Sequence, residues 1–197
     1  CDVEQAALKY AMVDCPQAKL FSDYREVTRA KDIAVVAIVT PVTTHYALAR
    51  DALLNGKHIF VEKPFTSTSR QAEELIELAK RKKLKIMVDH TFLFTAAVKK
   101  IKEFVDNNTL GDLYYYDSTR INLGLFQHDV NVIWDLAPHD LSIMDFILRD
   151  KPAAISALGL GHFAKGIENI AYIVAQFNNN MIAHFNFNWL SPVKVRT

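Results

Sequence analysis

The chain has 197 residues, half of them hydrophobic and 23% charged, with a formal net charge of +1, which suits a protein with a real core in one large or two small domains. Acidic and basic side chains are interspersed, so no basic stripe points to nucleic acid, and no apolar run reaches the roughly 18 residues that span a bilayer. No signal peptide opens the sequence, and two cysteines, Cys1 and Cys15, are too few for a disulfide scaffold or a cysteine zinc site; a reducing cytoplasm is the expected location.

Helical spacing of Ala6, Ala7, Tyr10 and Ala11 predicts a helix over 3–13. A short extended piece over 19–21 follows, then a short helix capped by Asp23 and running to Arg29. The run from Ile33 to Val39 is apolar and β-branched, the pattern of a strand buried on both faces. It ends at Thr40-Pro41 and leads into a helix over about 44–55, stopped by Gly56. Next come a strand over 58–61, the corner Glu62-Lys63-Pro64, and a helix over 69–81. Thr68 and Gln71 have capping-box spacing for that helix, and the basic run from Lys80 to Lys83 sits at its C-terminal end, where cations suit the dipole. A strand over 85–88 completes a βαβ alternation, hence a parallel, doubly wound sheet.

The pattern changes near residue 92. A helix over 95–105, a long strand over 113–121 and a helix from near Asp135 to Leu148 are followed by strands over 154–160, 170–177 and 181–189. The last two are joined by Asn178-Asn179-Asn180, a hairpin signal. The fold class expected is therefore α/β: a partial Rossmann-type sheet over 1–92, then an α+β unit with a large, mostly antiparallel sheet over 93–197. No closing element is expected after Pro192. No G-x-G-x-x-G occurs among the six glycines.

Two constellations carry chemistry. Pro64 forbids further sheet pairing, so Glu62 and Lys63 fall at the carboxyl end of a strand, where open α/β sheets hold ligands. A lysine drawn out of water can exchange a proton near neutrality; the alternative is a surface Glu-Lys pair closing a strand. In the second, Asp135 and His139 stand four residues apart at a helix start, where a carboxylate can orient an imidazole; the alternative is an N-cap aspartate with an unrelated neighbour. Metal binding lacks a third ligand, and no metal is expected; His90 and His128 are candidates that no motif supports. Arg120, Asn122 and Gln127 surround a loop that could bind hydroxyls or an anionic group, or simply face solvent. Trp134, Trp189, Phe92, Phe94 and Phe126 read as core.

These residues resemble the glucose–fructose oxidoreductase, inositol dehydrogenase and MocA family of nicotinamide-dependent dehydrogenases. Residues 36–45 resemble its strand-plus-T-P-x-x-x-H cofactor segment, and 52–64 its A-L-x-x-G-K-H-V-x-x-E-K-P signature. Asp135-x-x-x-His139-Asp140 resembles its second catalytic motif, and the stretch from Arg120 to His139 is most like the branch acting on nucleotide-linked sugars. The resemblance implies that Thr40, Pro41, His45 and Glu62 line the nicotinamide and its ribose. It implies that Lys63 and His139 flank the substrate carbon that gives up hydride, with Asp135 nearby; Arg120 and Asn122 of the polar cluster are the further expected substrate contacts. By the same comparison the glycine-rich first βα unit lies upstream of residue 1 and the final strands of the second sheet are absent. Asp2 then becomes the ribose-binding acid, which favours NAD over NADP. The expected partners are a sugar or polyol substrate and further copies of the chain, as a homodimer or homotetramer joined through the second sheet, with neither nucleic acid nor membrane. The alternative is a non-catalytic binding or assembly module of the same fold that holds no dinucleotide.

Overall fold

A computed structural model describes residues 1–124, 126–163 and 166–197, and divides into two compact units, Cys1–Asp89 and His90–Thr197. The first is a three-stranded parallel sheet, β1 (Val35–Ile38), β2 (His58–Val61) and β3 (Ile86–Val88), in that order. Helices α1 (Gln5–Asp14) and α2 (Tyr24–Arg29) precede it, and α3 (Val42–Leu54) and α4 (Ser69–Lys82) are its crossovers. His45, Ala49, Ala52 and Leu53 form one buried stripe on α3. Ala49, Ala52 and Leu53 pack with Ile38, Ile59 and Val61 of the sheet and with Leu75 and Ala79 of α4.

Local signals account for the helix ends. Asp23 accepts the Arg25 N–H at 2.9 Å, and Gly56 takes φ +79° just past α3, a conformation with little cost for glycine. Thr68 accepts the Gln71 N–H at 3.3 Å, but Gln71 Oε1 is buried with no hydrogen-bond partner, so only half of the expected capping box is made. Lys57 donates to the carbonyls of Ala30 and Ile33, tying the end of α2 to the entry of β1.

The second unit begins with a 3₁₀ turn, Thr91–Phe94, and α5 (Ala96–Asp106). It continues through β4 (Tyr115–Ile121), α6 (Val132–Leu148), β5 (Ala154–Leu160), β6 (Ile170–Gln176), β7 (Ile182–Asn188) and β8 (Val195–Arg196). The sheet order is β5-β6-β7-β4-β8; three of its four pairings are antiparallel and β4–β7 is parallel. Alternation along β6 and β7 turns Ala171, Ile173, Ala175, Ala183, Phe185 and Phe187 onto one face, where Val132, Ala137 and Met144 of α6 complete the core.

Four expectations are corrected. Residues 19–21 form no strand. β1 is not buried on both faces: it is the edge of its sheet in this chain, and Val35 and Val39 are exposed. Helix α6 starts at Val132, a turn earlier than expected, because Asn131 Oδ1 accepts the Trp134 N–H at 3.0 Å; Pro138 therefore stands inside the helix rather than in its first turn. And an element does follow Pro192, since Val195 and Arg196 pair antiparallel with Ile121 and Arg120. Leu125, within the polar loop, lies outside the described residues. Among the described residues no helix is long and apolar enough to cross a membrane.

Candidate functional site

In the first unit the chemistry gathers at the carboxyl edge of the parallel sheet. Ile38 pairs with Val61 and Val61 with Val88, so the chain leaves all three strands at one level. Backbone bonds carry the pairing one residue further, Glu62 N–H to Ile38 O at 2.9 Å and Asp89 N–H to Val61 O at 2.8 Å. Beyond that level stand Thr40-Pro41 after β1 and Glu62-Lys63 after β2, the first pair exposed and the second half-buried. Glu62 Oε2 accepts the Lys63 backbone N–H at 3.0 Å, which folds the carboxylate back over the corner. The Lys63–Pro64 peptide is cis. Thr40 Oγ1 and Thr44 Oγ1 share a hydrogen bond of 2.7 Å.

His45 is placed differently from the expectation that it lines a nicotinamide. It is 1% exposed, with Nε2 2.7 Å from the Thr40 carbonyl and Nδ1 3.0 Å from the Pro64 carbonyl. With no surface to offer a ligand, it links the loop after β1 to the loop after β2 and holds the two strand ends together from beneath. Asp2 is exposed, and its Oδ1 accepts the Glu4 N–H at 2.9 Å at the start of α1.

In the second unit, α6 carries Asp135, His139 and Asp140. Asp135 Oδ2 accepts the Trp189 indole N–H at 3.2 Å, so a buried tryptophan at the end of β7 orients that carboxylate. The His139 ring lies 4.8 Å from the Phe92 ring, edge to face at 77°. Asp140 forms a two-pronged ion pair with Arg120 of β4, Nε–Oδ2 2.6 Å and Nη2–Oδ1 2.9 Å, with both side chains 7% exposed. The guanidinium also stacks on Phe92, its central carbon 4.5 Å from the ring centroid. Arg120, expected to meet an anionic substrate group, is thus buried and engaged by Asp140. Asn122, half-buried just past β4, donates its backbone N–H to Asn188 O at 2.9 Å.

Phe92, Arg120 and Asp140 border a groove of about 440 Å³, floored by apolar residues of α5 and α6 such as Val98, Ile101 and Ile143. Tyr116 lines it too; burial first, then the Asp140 charge, push its phenol up to about 12. No group of three or more His, Cys, Asp or Glu among the described residues could hold a metal ion.

Residues 2–90 match the family model described as the oxidoreductase family, NAD-binding Rossmann fold, and residues 98–197 match the GFO/IDH/MocA C-terminal domain. The chain belongs to the GFO/IDH/MocA oxidoreductase family. Within it, the UDP-N-acetylglucosamine 3-dehydrogenase of Acidithiobacillus ferrooxidans is 30% identical over 132 residues, 66% of this chain and 40% of that one. The scyllo-inositol 2-dehydrogenase (NADP(+)) of Bacillus subtilis is 26% identical over 121 residues, 61% of this chain and 33% of that one. The crystal structure of GenD2 from gentamicin A biosynthesis, in complex with NAD, superposes with a TM-score of 0.90 at 17% identity, over 98% of this chain and 58% of that one. The matched stretches thus cover less than half the length of these two curated relatives.

Three residues that contact the candidate groups carry no functional signal in the sequence: Phe92 and Trp189 read as core, and Asp140 only follows His139 in its motif. The one available signal was charge: an aspartate directly after His139 and an arginine in a strand, each needing a partner if buried.

Proposed function

We propose that this protein is a nicotinamide-dependent dehydrogenase that oxidises a secondary hydroxyl of a cyclic polyol or sugar, nucleotide-linked sugars included, with Lys63 as the proton acceptor. The observation that carries the reading is the position of Lys63: half-buried, at the carboxyl edge of a parallel sheet, beside Glu62 and level with Thr40-Pro41. Such edges bind ligands because strand ends and helix starts leave backbone and side-chain polar groups directed outward.

The residues present suit the nicotinamide riboside end of a dinucleotide. Thr40 offers a hydroxyl and Glu62 a carboxylate to ribose, and Pro41 gives an apolar, rigid surface for a flat ring. Bound there, the nicotinamide supplies the hydride acceptor. Lys63 Nζ takes the hydroxyl proton as the C–H bond breaks, the base that alcohol oxidation needs within hydrogen-bond reach. Glu62 and His45 hold the corner that aims it, Glu62 through the Lys63 N–H and His45 through the Pro64 carbonyl. His139, Asp135 and Asn122 are the second unit's substrate-reading groups, with Asp135 fixed by Trp189. Asp2 would repel a 2′-phosphate, which favours NAD; equal turnover with NADP would remove Asp2 from that role.

The relative that acts on a UDP-sugar supports the sugar-nucleotide class, and the NAD-bound structural neighbour supports the cofactor. The test is Lys63→Met in the protein at its natural length. Its kcat should fall by roughly 10²-fold while NAD still binds, since general acid–base steps are worth about that much. Activity kept within a few-fold would refute the assignment, and failure to bind any nicotinamide dinucleotide would favour a non-catalytic module.

A further inference from the structure

Phe92 is the point on which three elements of the second unit converge. It sits half-buried in the 3₁₀ turn Thr91–Phe94, ahead of α5. From α6, the His139 ring meets it edge to face at 4.8 Å. From β4, the Arg120 guanidinium lies 4.5 Å from its centroid, and from β8 the Arg196 guanidinium lies 5.6 Å away.

Charge explains why this ring is needed. Arg120 and Arg196 are direct cross-strand partners, and like charges in that relation repel. The Asp140 carboxylate neutralises Arg120 through two short bonds. No carboxylate among the described residues forms an ion pair with Arg196, whose guanidinium instead has the π face of Phe92. The aromatic ring lets both cations stay where the strand register puts them. The same register then fixes α6, because Asp140 is bonded to β4 and His139 is its immediate neighbour in the helix. His139 is left with little rotational freedom: the ion pair sets its backbone and Phe92 meets its ring.

We infer that Phe92 is a positioning residue for His139, setting the angle at which the imidazole is presented, with the Arg120–Asp140 pair and Arg196 holding Phe92 in place. This rests on the reading of His139 as a substrate-contacting group. A misplacement of about 1 Å at such a group can cost up to roughly 10²-fold in rate, so a side chain that acts only by orienting it still governs turnover.

The test compares Phe92→Leu with Phe92→Tyr in the protein at its natural length, with histidine labelled at ¹³Cε1 and the His139 signal assigned from its loss in His139→Asn. Phe92→Leu keeps apolar bulk but loses the aromatic edge and face. We expect its kcat to fall about 10-fold or more with KM for the dinucleotide within about two-fold, and its His139 signal to move or broaden. Phe92→Tyr should restore both rate and signal. An unmoved His139 signal in Phe92→Leu overturns the inference whatever the rate does, and a moved signal with unchanged kcat overturns it as well. If His139→Asn keeps its activity, the functional reading of His139 fails on its own, while the NMR comparison still decides whether Phe92 positions the ring. A leucine variant too unstable to measure is replaced by Phe92→Met, held to the same two criteria.

Discussion

The Arg120–Asp140 pair gives the sharpest stability prediction. Both side chains are 7% exposed, and the carboxylate receives two guanidinium donors at 2.6 and 2.9 Å. Replacing one partner leaves the other as an uncompensated buried charge, which costs about 3–5 kcal/mol against a total stability of roughly 5–15 kcal/mol. The two single variants should differ. In Asp140→Asn the guanidinium keeps its stacking on Phe92 at 4.5 Å, worth on the order of 1–2 kcal/mol when desolvated, so the loss should fall near 3 kcal/mol. Arg120→Met strands the carboxylate and loses the stacking too, so its loss should approach 5 kcal/mol. At roughly 2–4 °C per kcal/mol for a chain of this size, the drop in Tm is about 6–20 °C. Both tryptophans, Trp134 and Trp189, lie in the second unit, so urea and thermal unfolding followed by tryptophan fluorescence read that unit directly. The double variant Arg120→Met/Asp140→Leu removes both charges and should recover most of the loss, because apolar replacements of buried pairs are often neutral. A loss below about 1 kcal/mol in Asp140→Asn, or a double variant no better than the worse single one, would show that the pair is not desolvated as described.

Two further outcomes are expected. Tyr116 is raised from 10.0 to about 12 by burial and the Asp140 charge; the unfolded chain releases this proton near pH 10 and the folded chain only near 12, so the stability is complete below pH 10 and lost between 10 and 12, on the order of 2 kcal/mol in all. Tyr116→Phe should flatten the stability–pH curve over that window in urea unfolding, and an unchanged slope would contradict the burial. The outer face of the second sheet presents Tyr115, Tyr172, Ile182 and Leu158, exposed by 73%, 42%, 43% and 69%, an apolar surface of the kind that joins copies of a chain. Light scattering at micromolar concentration should give a dimeric or tetrameric mass, and Leu158→Lys with Tyr115→Lys should lower it; a monomeric wild type rules this interface out.

What the amino-acid sequence determined by itself was short-range. The branched run ending at Ile38, the 58–61 strand closed by Glu62-Lys63-Pro64, the helix caps at Asp23 and Gly56, and the alternation in β6 and β7 all follow from propensity and periodicity within about ten residues. From these came the parallel first unit, the sheet-rich second unit, and Lys63 at a strand's carboxyl end. What only the tertiary structure decided was the pairing of distant groups. Arg120 meets Asp140 twenty residues on, Asp135 meets Trp189 fifty-four residues on, and β8 returns to lie beside β4. His45 shows the difference most clearly: its motif marks it as important, yet only the packed fold buries it between the Thr40 and Pro64 carbonyls instead of at the surface. The physical reason is that a side chain's intrinsic chemistry is local, whereas its burial and its partners depend on which segments pack together, and non-local contacts of that kind leave no periodic trace in the chain.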